Sequence, residues 1–263
     1  MIPERQAESL PHQALIRLTP SPREKVWGRN GIGEIWFLSD RELPLLVKFI
    51  STSERLSIQV HPDDDEAGPG EAGKTEMWHI LDAEPGATIA MGFRRPITRD
   101  QLRESVRTGE IEGLVNWVPV KAGETYFIPA HTVHAIGGGI ELCEIQQNSD
   151  ITYRLWDYGR PREIHVEQAV PLSDLTVHPG PCKPVRELVR CRHFATELVS
   201  MSAGESHVPQ AERSQLWICL EGRGTIGGEA FSRREVWLLP DEGVQPEIRA
   251  QERCEFLRTY SPG

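Results

Sequence analysis

Residues 56–81 read LSIQVHPDDDEAGPGEAGKTEMWHIL, and the two ends of this stretch call for a different backbone from its middle. Leu56–Val60 alternates apolar Leu56, Ile58 and Val60 with polar Ser57 and Gln59, the period-two pattern of a strand with one buried face. Glu76–Leu81 reads as the next strand. Between them His61–Lys74 holds Asp63, Asp64, Asp65, Gly68, Pro69, Gly70 and Gly73, too many turn formers for a ladder, so it reads as a loop with Asp63–Glu66 a solvated acidic run. The same alternation of short apolar runs and turn residues extends outward. Gly33–Leu38 and Leu45–Ser51 precede it, and Thr88–Phe93, Tyr126–Pro129, His134–Ile136, Ile140–Gln146 and Ile151–Trp156 follow, the last four broken by turns that include Gly137–Gly139. One helix is expected from a cap at Thr98 or Asp100 through Thr108, and a second through Trp117, a helical insert at 98–117 in a β background. With 23 glycines and 20 prolines in 263 residues, the expectation is an all-β fold.

A second run of strands is expected at His193–Met201, Gln215–Glu221, Gly224–Ile226, Glu235–Leu239 and Cys254–Thr259. Pro171, Pro179, Pro181 and Pro184 stiffen the chain between the two runs, which places a boundary there and divides the protein into domains 1–175 and 186–263. The 29 basic residues against 39 acidic ones give a formal charge of −10, which argues against nucleic acid as a partner. No run approaches the ~20 apolar residues of a membrane span, and MIPERQAESLPHQ at the N-terminus is too polar for a secretory signal, so a cytoplasmic protein without a membrane partner is expected. The five cysteines are odd in number and form no CxxC pair, which reads as reduced core thiols.

Gln59 and His61 flank Val60 on one strand and therefore point the same way. Glu76 opens the next strand and His134 follows a later turn, so an oxygen, two imidazoles and a carboxylate are available to one ion, a set that suits zinc. With a single anionic ligand such a centre keeps positive charge, useful for polarising a carbonyl. A lone histidine in a strand is as readily a satisfied core residue, and the spacing alone leaves both readings open. His79 alternates away from Glu76 and reads as a non-ligand, and His193 and His207 read as ordinary residues of a second domain without a metal site.

Residues 123–136, GETYFIPAHTVHAI, resemble the second motif of the cupins, G-x5-P-x-G-x2-H, with His131 standing where that motif has its second glycine. The phrases LSIQVHPDDDEA, GKTEMWHIL and IPAHTVHAIGGGIELCEIQQNSDITYRLWDYGR, with EKVWG and GEIW earlier, resemble the short bacterial type I mannose-6-phosphate isomerases from about Glu24 to Arg160. The resemblance implies a double-stranded β-helix, the cupin jelly roll, in two cupin-like domains of which only the first keeps a metal. It also implies one Zn2+ on Gln59, His61, Glu76 and His134, and conversion of mannose 6-phosphate to fructose 6-phosphate through a cis-enediol.

Arg154 stands where that family has its catalytic arginine; always charged, it is expected to stabilise an oxyanion and to bind substrate. Lys74 shares a face with Glu76 and is expected to shuttle a proton or hold phosphate. Glu144 reads equally as an acid/base group, if burial raises its pKa, and as a hydrogen-bonded structural carboxylate, and Ser57, on the face of Gln59 and His61, as a phosphate contact or a plain strand serine. Arg160 is a further cation for a sugar phosphate, which an acidic protein can bind only where local charge is positive. Monomer and homodimer are both compatible with the sequence. The alternatives are a non-catalytic sugar-phosphate-binding or regulatory cupin, and another metal cupin enzyme such as a dioxygenase or epimerase.

Overall fold

The computed structural model describes residues 15–183, 185–210, 213–239 and 241–262, so the polar N-terminal stretch and Pro184 lie outside the described residues. The chain divides into two compact units, one of residues 20–37 and 44–184, the other of 15–19, 38–43 and 185–262. It therefore passes between units more than once, and not only through the proline-rich stretch.

The first unit is built on two antiparallel sheets. One orders its six strands Thr19–Arg29, Ile32–Leu38, Leu45–Ser51, Ile140–Gln147, Glu76–Ala83 and Thr125–Ile128; the other orders five, Tyr153–Trp156, Ile58–Val60, His134–Ile136, Thr88–Phe93 and Val115–Pro119. Beyond the consecutive strands that open the first sheet, most neighbours are distant in sequence, such as Leu45–Ser51 beside Ile140–Gln147 and Tyr153–Trp156 beside Ile58–Val60, as in a jelly roll. Ile50, Trp78, Ile80, Tyr126, Ile140 and Leu142 of the first sheet meet Ile89, Met91 and Ile136 of the second in a closed core. The five-stranded sheet is covered on its other face, where Ile58, Val60, Ala90, Ala135 and Leu155 pack against Leu102, Val106, Ile111, Ala169 and Val170 from helices. Strand alternation assigns each residue to one core or the other. Ile58 and Val60 turn to the helices, so Gln59 between them turns inward, and His134 and Ile136 turn inward around Ala135.

The helical insert begins as the capping pattern demands. Arg99–Thr108 starts at Thr98, whose hydroxyl accepts from the Gln101 amide in a capping box, and it ends at Gly109 with φ +82°. The second helix is only Ile111–Leu114 and does not reach Trp117: Val115–Pro119 is a strand that pairs with Thr88–Phe93. The β-branched and aromatic residues of that segment gain more from an edge position in the sheet than from another helical turn. A helix and a long strand of this unit are among the elements the sequence reading did not anticipate, as are five short strands of the other unit. The helix Val166–Leu172 carries Pro171 in its last turn, and the strand Thr19–Arg29 is disguised by Pro20, Pro22 and its charges. The proline positions suit an edge strand.

The other unit repeats the plan with a six-stranded sheet ordered Ile16–Arg17, Val236–Leu239, Gln215–Glu221, Cys254–Tyr260, Ala195–Met201 and Glu187–Arg190, and a four-stranded one, Ser206–His207, Ile248–Ala250, Arg223–Ile226 and Glu229–Ser232. Met201, Trp217, Trp237 and Phe256 fill its core with Ile226, Phe231, Ile248 and Ala250. Of the cysteines, Cys143, Cys219 and Cys254 are buried thiols, whereas Cys182 and Cys191 are only half-buried and so not core residues as expected. Among the described residues no helix is long and apolar enough to cross a membrane.

Candidate metal centre and cavity

The jelly roll brings the inward residues of five strands to one point. His134 lies opposite Gln59 across the five-stranded sheet, and in the facing sheet Gln146 lies opposite Glu76 while Glu144 lies between Lys48 and Trp78. His61 Nδ1 is 2.8 Å from the Ile151 carbonyl, and His134 Nδ1 is 2.8 Å from that of Thr132. A carbonyl can only accept, so each ring carries its proton on Nδ1 and turns the Nε2 lone pair inward. Both rings are almost wholly buried, and burial together with the nearby Lys74 ammonium holds them below the usual imidazole range, His134 at about 3. They are neutral donors.

Those lone pairs meet a carboxylate. Glu76 is fully buried; its Oε2 is 3.6 Å from His61 Nε2 and its Oε1 3.4 Å from His134 Nε2. Burial, with the Glu144 charge, pushes its pKa up to about 7. Lys74 Nζ lies 2.8 Å from Oε2, an ion-pair distance, yet neither Glu76 oxygen accepts a hydrogen bond of sound geometry. Lys74 Nζ also reaches His61 Nε2 at 3.0 Å, so one ammonium touches the carboxylate and one imidazole, and among the described residues nothing charged touches all three groups as a metal cation would. Gln59 Nε2 is 3.3 Å from His134 Nε2 and 3.5 Å from His61 Nε2, while its Oε1 accepts from Ser57 Oγ at 3.0 Å. Turning the amide over puts Oε1 among the donors and leaves Ser57 accepting instead. Four donors about 2.1 Å from a zinc ion in a tetrahedron stand about 3.4 Å apart. The observed separations fit that figure, so the four residues suit the ion the sequence suggested.

A cavity opens beside this centre. Its wall bears Lys25, Lys48, Lys74, Arg154 and Arg162 against Glu34, Glu144 and Asp150, together with Ser57, Gln59 and His134. The surplus of basic groups answers the question of how an acidic chain offers positive charge to an anion. Arg154 lies opposite Gln59 on the edge strand of the five-stranded sheet, and its Nε is buried without a hydrogen-bond partner. Burial first, then the Arg162 charge, lower its pKa from the arginine value. Lys74 is buried, which pulls its pKa down, but Glu76 and Glu144 outweigh this and raise it.

Two readings of the sequence change in the structure. For Glu144 the sequence left an acid/base group of raised pKa and a hydrogen-bonded structural carboxylate both open; burial does push the pKa up, but Lys48 Nζ at 3.0 Å from Oε1, Lys74 nearby and Trp78 Nε1 at 2.9 Å from Oε2 hold it down at about 2. It is an ionised anchor for those donors. Arg160 was expected to face the pocket, yet its guanidinium turns to Glu54 and the Arg55 carbonyl, each at 2.9 Å, and Arg162 lines the cavity. Lys48 and Arg162 are among the lining residues the sequence reading missed, with Lys25, Glu34 and Asp150. The only signal for Lys48 is a lone charge inside the apolar run LLVKFIS, where alternation puts it on the face of Leu46 and Ile50. His131, at the motif's glycine position, has φ +72° and donates its backbone N–H to the His61 carbonyl at 2.9 Å. The motif prefers glycine there because that left-handed turn ties the two ligand segments together.

No protein-family model matches the chain. Mannose-6-phosphate isomerase ManA of Bacillus subtilis is 35% identical over 225 residues, which span 77% of the chain and 71% of that relative. The mannose-6-phosphate isomerase of Streptococcus mutans is 42% identical over 135 residues, 48% of the chain and 42% of the relative. Among solved structures, the mannose 6-phosphate isomerase from B. subtilis matches with a TM-score of 0.84 at 26% identity, over 94% of this chain and 100% of that one.

Proposed function

The chain belongs to the mannose-6-phosphate isomerase family, and from that membership we propose that its buried centre holds one zinc ion and serves to interconvert mannose 6-phosphate and fructose 6-phosphate through a cis-enediol. It is an aldose–ketose isomerase with a cupin fold. The observation that carries the metal reading is the convergence of two Nε2 lone pairs, 3.4 and 3.6 Å away, on the oxygens of one fully buried carboxylate.

Gln59, His61, Glu76 and His134 would hold the ion, which when bound supplies Lewis acidity toward a substrate oxygen. The other residues act directly. Moving a proton between C1 and C2 builds negative charge on O1 and O2, and the fixed guanidinium of Arg154, half-buried, stabilises that charge without having to reorganise. Lys74, kept charged by Glu76 and Glu144, donates to a sugar or phosphate oxygen, and Ser57 Oγ is a neutral donor on the same wall. Glu144 is too weak a base at its depressed pKa to take a proton from carbon, so its part is to fix Lys48 and Trp78 at the cavity wall.

The test is elemental analysis of the purified protein together with a coupled assay for fructose 6-phosphate, before and after chelation. About one zinc per chain, with turnover lost on chelation and regained on adding zinc, is the expected result. Full turnover in metal-free protein overturns the metal reading, and metal with sugar-phosphate binding but no turnover favours a regulatory cupin.

A further inference from the structure

Arg154 sits on the outermost strand of its sheet, where a backbone has a neighbour on one side only. It lies opposite Gln59, yet its N–H and C=O both turn outward, where an edge residue ordinarily meets water. Here both are taken by one residue. Arg154 N–H donates to His165 Nδ1 at 3.1 Å, and His165 N–H donates to the Arg154 carbonyl at 2.7 Å. His165 thus stands in for the missing neighbour strand, its ring nitrogen replacing the carbonyl a strand would offer. It is itself held firmly: its carbonyl accepts from Ala169 at 2.8 Å at the start of the helix Val166–Leu172, whose Ala169 and Val170 are buried in the core under the sheet. The turn that this pair closes, residues 154–165, also holds Asp157, which grips Arg162 through two bonds of 2.6 and 2.7 Å.

We infer that His165 is the positioning residue for Arg154, fixing the peptide from which the guanidinium reaches the cavity. The inference rests on the catalytic reading of Arg154 given above. A displacement of about 1 Å at a group that stabilises charge in the transition state can lower the rate about a hundredfold, so a clamp on both backbone groups of Arg154 has a direct consequence for turnover. The obvious rival is that the His165 ring merely packs against Tyr153, whose centroid is 6.0 Å away.

Two substitutions separate these roles. His165→Phe keeps a ring beside Tyr153 and removes the acceptor, with His165→Leu as a smaller replacement should the phenylalanine variant not fold; His165→Asn removes the ring and keeps an acceptor near the Nδ1 position. In full-length, zinc-loaded enzyme assayed with mannose 6-phosphate, kcat is expected to fall at least about tenfold in His165→Phe and to stay within about twofold of the parent in His165→Asn, with zinc content unchanged in both. In an Arg154→Lys background, His165→Phe is expected to add less than about twofold, because its effect passes through the arginine. An unimpaired His165→Phe enzyme, an asparagine variant as impaired as the phenylalanine one, or losses that multiply in the double variant each overturn the inference. If Arg154→Lys alone is unimpaired, the role of Arg154 fails and this inference with it; if Arg154→Lys is impaired while His165→Phe is not, only this inference fails.

Discussion

The side chains at the centre owe their chemistry to what surrounds each atom. His134 is a neutral donor because its Nδ1–H donates to the Thr132 carbonyl, which leaves the lone pair on Nε2, and burial keeps a second proton off. His134→Ala is therefore expected to lose zinc and turnover together, since three remaining donors lose both affinity and geometry; elemental analysis and the coupled assay check this, and an active, metal-free variant contradicts it. Lys48 and Glu144 are each 3% exposed, and each compensates the other. Lys48→Met leaves a carboxylate buried without its ion-pair partner and is expected to destabilise the fold by about 3–5 kcal/mol, measurable by urea unfolding. The same pair sets an acid dependence. The folded pKa of Glu144 lies below its ordinary value of 4.5, so its stabilisation is complete above that value and is lost as the pH falls toward about 2. Between pH 5 and 3, unfolding of the parent should thus lose more stability than that of Lys48→Met.

Elements convert these side chains into an arrangement by alternation and capping. A strand delivers Gln59 inward only because Ile58 and Val60 face the helices, and it delivers Glu76 and Trp78 together because they are two apart. Sliding any of these strands by one residue would exchange a ligand for a core residue, so the two hydrophobic faces fix the register of the site. The helix Arg99–Thr108 contributes by covering the outer face of the five-stranded sheet through Leu102 and Val106. Thr98→Ala removes the hydroxyl that caps it and is expected to cost about 1 kcal/mol in thermal or urea unfolding while leaving kcat unchanged. A fall in kcat at full zinc occupancy would mean that this helix shapes the cavity as well as covering the sheet.

At the scale of the whole molecule, the ligands come from residues 59, 61, 76 and 134, so an ion that binds them fastens separate strands of one unit to each other. Zinc removal is expected to speed amide hydrogen exchange in the strands Ile58–Val60, Glu76–Ala83 and His134–Ile136, because binding to the folded state alone stabilises what it spans; exchange that is the same with and without zinc would contradict this. Much of this was legible in the chain. The exact limits of Leu45–Ser51, Thr88–Phe93 and His134–Ile136, a cap at Thr98 or Asp100, of which the structure uses Thr98, and the common direction of Gln59 and His61 follow from period and turn chemistry, which act over a few residues. What only the tertiary structure decided is which strands become neighbours. Lys48 meets Glu144 across 96 residues, Arg162 rather than Arg160 lines the cavity, Ile16–Arg17 pairs with Val236–Leu239, and Lys48 and Lys74 hold Glu144 ionised against the effect of burial, a choice the sequence left open. Local pattern assigns a residue to a face, but the charge or donor opposite that face is set by long-range burial of apolar surface, which no short window of sequence contains.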